Sequence, residues 1–69
     1  MQMNSQLKEK LASYGWNAAR IEREGVWGEV VSGSVHHITL RDARGVERYH
    51  AGPLVTVQAG GQAAIVRWS

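Results

Sequence analysis

The sequence predicts a small α+β domain over residues 1–69, with an N-terminal helix followed by about five short antiparallel strands in a small barrel or an open sheet. Three observations predict it. Apolar residues stand at helical spacing near the N-terminus, where Leu7, Leu11 and Tyr14 fall at i, i+4 and i+7. After Gly25 apolar and polar residues alternate at the period of a strand. Turn signals at Ser32-Gly33-Ser34, Asp42-Ala43-Arg44-Gly45 and Gly60-Gly61 then cut that region into hairpin-sized pieces.

The helix is expected over residues 4–14. Met3 continues its apolar stripe by one turn, and Lys8, Glu9, Lys10 and Ser13 make the polar side. Asn4 or Ser5 supplies the N-cap, and Gly15 stands where a left-handed residue ends a helix. Trp16 and Leu11 then occupy the two positions whose apolar contact accompanies a Schellman ending. Core packing is the expected fate of the stripe, as for any amphipathic helix in a domain this small.

Residues 17–25 admit two readings. With Asn17 as cap and Gly25 as stop, AARIERE makes a two-turn helix; as a strand it puts Ala19, Ile21 and Arg23 on one face. The strand is preferred, because a helix so short with one large apolar residue gains little by forming.

The remaining strands are expected at about 26–31, 35–41, 46–50, 54–59 and 62–68. A type II′ turn at Gly33-Ser34 sets Val31 opposite His36, Glu29 opposite Ile38 and Trp27 opposite Leu40, so Trp27, Val31, Ile38 and Leu40 share a face. The Asp42–Gly45 turn pairs Arg41 with Glu47, Thr39 with Tyr49 and Ile38 with His50. The Gly60-Gly61 turn pairs Val57 with Ala64 and Val55 with Val66, leaving Thr56, Gln58 and Arg67 on the other side. The order of elements, a helix and then about five strands joined by tight turns, is that of an SH3-like or Sm-like small barrel, and an open sheet with the helix on one face fits nearly as well. This is a likeness of architecture, and it carries no function.

Composition bounds the chemistry. A chain of 69 residues buries only about 60% of its unfolded surface. Its single core supplies roughly 3–5 kcal/mol, so association with itself or a partner is expected. There is no cysteine, which removes disulfides and leaves only His and carboxylates for a metal. No apolar run of signal-peptide or membrane-span length occurs, so the expectation is a cytoplasmic protein with no membrane partner. The net charge of +2 favours anionic partners mildly.

Catalytic constellations are missing from the pattern. His36 and His37 are adjacent and would point to opposite faces of a strand, while His36 and His50 would lie diagonally on one face with no third ligand in the chain nearer than Glu29. No G-x-S-x-G elbow, P-loop or G-x-G-x-x-G run occurs. Asp42 reads as a turn residue. No enzyme activity, metal or cofactor is therefore expected.

Two binding surfaces remain. Arg41, Arg44 and Arg48 cluster at the 42–45 turn, and His37, Thr39 and Tyr49 join them on the hairpin. Guanidiniums on phosphates with a tyrosine on an unpaired base is the combination that binds RNA or single-stranded DNA. The competing surface is the last strand, where Ile65, Val66 and Trp68 could form an edge that pairs with a second copy or another protein. The expectation is a non-enzymatic binding module, nucleic-acid binding first, with a protein-interaction or inhibitor role of the type carried on mobile elements as the alternative.

Overall fold

Asn4 starts the fold. The computed structural model of the chain describes residues 2–66. In it the Asn4 side chain accepts a hydrogen bond from the Leu7 N–H at 2.7 Å and caps helix α1, Ser5–Ser13. The helix ends as expected: Gly15 takes φ +82, its N–H donates to the Ala12 carbonyl, and the Trp16 N–H donates to that of Leu11. These are the two bonds of a Schellman ending.

The next segment is a helix, α2 at Ala18–Glu24, where the strand was preferred. Asn17 caps it through the Arg20 N–H at 3.1 Å. What stabilises so short a helix is tertiary. Ala18 and Ile21, three residues apart on one face, pack against the α1 core. The Trp27 indole N–H donates to the Glu22 carbonyl at 3.0 Å, and Lys8 reaches the Glu22 carboxylate at 3.1 Å. None of these partners is local to residues 17–25.

Five strands follow: β1 at Val26–Gly33, β2 at His37–Arg41, β3 at Glu47–Ala51, β4 at Val55–Ala59 and β5 at Gln62–Val66. They form one open antiparallel sheet in the order β3-β2-β1-β5-β4. The domain is thus α+β, with an open sheet instead of a closed barrel. The β2–β3 and β4–β5 registers are those expected, Thr39 opposite Tyr49 and Val57 opposite Ala64 among them.

The β1–β2 register is not. Glu29 faces Arg41 and Val30 faces Leu40; the register then shifts, and Ser32 faces Thr39 and Gly33 faces Ile38. The chain reverses over residues 34–37, closed by the Ser34 N–H on the His37 carbonyl at 2.8 Å, instead of at Gly33-Ser34. A slip of this kind moves side chains across the sheet. Trp27 therefore sits on the helix side, opposite Ala64, while Ile38 and Leu40 face the other way with Val30. His36 leaves the strand for the turn and is exposed.

Two apolar clusters result, one on each face. Met3, Leu7 and Leu11 pack on Val57 and Ala64, and Leu7 and Leu11 are fully buried. On the opposite face Ile38 and Leu40 pack with Ala63, Val30 and Ile65. No helix packs there, yet Ile38 is only 4% exposed and Leu40 only 3%. Residues from the two edge strands line one cavity over this face, so the sheet curls toward itself there. Gly28 admits a close approach of β2, since a Cβ there would stand 2.5 Å from the Arg41 carbonyl oxygen.

A polar latch ties the start of the chain to the last hairpin. The Asn4 N–H donates to Gln62 Oε1 at 2.6 Å, Asn4 Nδ2 donates to the Gly60 carbonyl at 3.0 Å, and Gln62 Nε2 donates to the Gln2 carbonyl at 3.2 Å. Gln62 is buried, and these bonds are what allow it to be.

Candidate functional site

The β2–β3 hairpin carries the residues that chemistry singled out. Its turn is built by Asp42, whose carboxylate accepts from the Arg44 N–H at 2.8 Å and the Val46 N–H at 3.0 Å. Gly45 supplies the left-handed residue at φ +81. The Val46 and Arg44 backbone bonds, with the Arg48 and Arg44 guanidiniums nearby, hold the Asp42 carboxyl below the usual carboxylate range.

The pleat sorts the side chains onto two faces. His37, Thr39, Arg41, Glu47 and Tyr49 share one, and Ile38, Leu40, Arg48 and His50 the other. On the first face the His37 ring stacks on Tyr49 with centroids 5.1 Å apart and planes at 28°. A hydrogen bond of 2.7 Å between His37 Nδ1 and Ser34 Oγ fixes the imidazole. Tyr49 nevertheless remains 65% exposed, so the ring pair offers surface to a ligand.

The arginines do not form one patch. Arg41 lies between two carboxylates, 4.0 Å from Glu29 and 3.8 Å from Glu47. Such half-exposed pairs contribute about 0–1 kcal/mol each. Arg48 belongs to the opposite face, and Arg44 stands at the turn. Neither makes an ion pair among the described residues.

The last strand is not an edge. β5 pairs with β1 on one side and β4 on the other, so Ile65 faces both Val26 and Thr56, and Val66 faces Val55. Ile65 and Val66 are half-buried in the two clusters. Their assignment to an edge interface is corrected accordingly, because a strand paired on both sides has no free backbone row to offer. Trp68, the third residue of that surface, lies outside the described residues. The edges belong to β3 and β4.

Where these two edges approach each other, a cavity of about 220 Å3 opens between the 34–37 turn, the end of β3 and the outward residues of β4. His50, Thr56, Gln58 and Leu54 line it, together with all of the 34–37 turn. His50 Nε2 is buried with no hydrogen-bond partner among the described residues. All three histidines touch this cavity, but no group of three metal-ligating side chains among the described residues is arranged to hold an ion.

No family model, curated protein or solved structure matches this chain. Of the hairpin residues expected from sequence, the structure brings His37, Thr39, Arg41 and Tyr49 together and separates Arg48 from them. The cavity was missed. The alternation of β4 already turned Thr56 and Gln58 to one side, but that β3 comes to lie near them depends on the curl of the whole sheet.

Proposed function

We propose that this chain is a non-enzymatic binding module whose β2–β3 hairpin contacts single-stranded nucleic acid, RNA or DNA. The observation that carries the reading is the His37–Tyr49 stack, with Tyr49 65% exposed and Arg41 on the same face. Bases stack on such rings with little sequence preference while guanidiniums track the backbone. Arg44, at the turn, is the ready cation, and Arg41 joins it once a phosphate displaces Glu29 and Glu47; Arg48, on the opposite face, serves a strand that wraps the β3 edge. The domain works in a cytoplasmic setting in this reading.

Fluorescence anisotropy of labelled single-stranded and duplex oligonucleotides over a salt series tests it. The expected result is a preference for single strands and a log–log salt slope of about −2 if all three arginines neutralise phosphates. Tyr49→Ala should weaken binding roughly tenfold or more, through loss of one stacked base. Substituting Arg41, Arg44 and Arg48 by Gln should flatten the slope; unchanged binding with an unchanged circular dichroism spectrum removes the hypothesis.

A second reading, association with a further copy of the chain or another protein, is favoured by the open edge of β3, which pairs with β2 alone and whose residues are mostly exposed. Sedimentation across a concentration series distinguishes it: a monomer throughout removes self-pairing.

A further inference from the structure

Three properties of the cavity between β3 and β4 bear on what it could hold. Part of its polar lining is uncommitted: His50 Nε2 is buried and unpaired, and the half-buried Thr56 hydroxyl and the exposed Gln58 amide and His36 ring make no hydrogen bond among the described residues. A buried polar atom left unpaired costs about 1–3 kcal/mol, so His50 Nε2 at the wall of this concavity points to an occupant that pairs with it. Its lining contains no Lys, Arg, Asp or Glu. That disfavours a phosphate, a carboxylate or a metal cation, each of which needs opposite charge close by. Its size is small, about 220 Å3 against the roughly 300–1,000 Å3 of clefts for larger ligands, and Ile38 and Leu54 add apolar surface to the wall.

We infer that this cavity binds an uncharged planar heterocycle of single-ring to nucleobase size, its edge hydrogen-bonded by His50, Thr56 and Gln58 and its faces against Ile38 and Leu54. A ring of this class combines apolar faces with donors and acceptors around its rim. That complements a lining that includes the aliphatic Ile38 and Leu54 and the polar His50, Thr56 and Gln58. The choice of a nucleobase rests on reading the hairpin as a nucleic-acid surface, since His37 belongs both to the cavity lining and to the ring pair with Tyr49. The base arrives either as a free nucleoside or as part of a strand lying on the hairpin.

The test is an NMR titration of the full chain, carrying 15N-labelled histidine, with uridine, cytidine, adenosine and guanosine, and separately with a short single-stranded oligonucleotide. At least one nucleoside should move the His50 ring resonances saturably. Thr56→Val with Gln58→Leu should weaken that binding roughly tenfold or more, each substitution removing one hydrogen bond. Gln58 is exposed, so Gln58→Leu alone serves if the double variant fails to fold. The inference is overturned if no nucleoside moves His50, or if the Gln58 variant binds as the parent does. Oligonucleotide binding with His50 unmoved overturns the cavity while the hairpin reading stands. Saturable nucleoside binding without oligonucleotide binding keeps the cavity as a free-nucleoside site and removes the hairpin reading.

Discussion

Asn4 does three things with one side chain and its own N–H. Its Oδ1 caps α1, its Nδ2 donates into the 59–60 turn, and its backbone N–H donates to Gln62. Asn4→Ala should therefore cost more than an ordinary cap, about 2 kcal/mol, as the sum of a cap near 1 kcal/mol and a tertiary hydrogen bond of similar size. Asn4→Asp keeps the acceptor for Leu7 and loses the donors to the turn, so it should fall between the two in urea denaturation. Equal stability of Asn4→Asp and the parent would mean that the latch to the hairpin adds nothing. Sequence made Asn4 legible as a cap, because a cap is local; its second and third partners lie 55 or more residues away and leave no local mark. His50 belongs to the same class. Its register opposite Ile38 could be counted from the Asp42–Gly45 turn, but its burial depends on where another strand goes.

Among the elements, those governed by turn chemistry were readable and those governed by packing were not. The Schellman ending at Gly15 and the hairpins at 42–45 and 60–61 follow from glycines in left-handed conformations at positions that require them. Helix α2 escaped because its stabilising partners, Lys8, Trp27 and the α1 core, lie outside it. The β1–β2 register escaped because Ser32-Gly33-Ser34 suits both a two-residue turn and the strand end that the structure builds, where Ser34 instead holds His37. Gly28 is the element-level feature most open to test. A methyl group there meets the backbone of the neighbouring strand, which a side-chain adjustment cannot relieve. Gly28→Ala should destabilise the domain by about 1–3 kcal/mol, the usual range for overpacking. For a domain of this length that lowers the melting temperature by roughly 4–8 °C per kcal/mol. A melting temperature within a degree of the parent would show that β1 and β2 separate at this point without cost.

At the scale of the whole molecule, β5 joins the two faces. Ala64 belongs to the helix-side cluster and Ala63 to the opposite one, both fully buried, so neither cluster can open without disturbing the strand they share. Native-state hydrogen exchange should reflect this, with the slowest amides in β5 and β1 and the fastest strand amides in β3, which has one neighbour and little burial. Protection of β3 equal to that of β5 would indicate a covered edge in solution and favour association. The strand order has a further consequence, for the sequence of events in synthesis. Helix α1 is complete within the first fifteen residues, yet the surface that buries Leu7 and Leu11 is made by Val57 and Ala64. A nascent chain therefore carries an exposed apolar helix past four later elements before β4 and β5 give it somewhere to dock. The domain closes last where it began first, and a contact of that sequence separation slows folding.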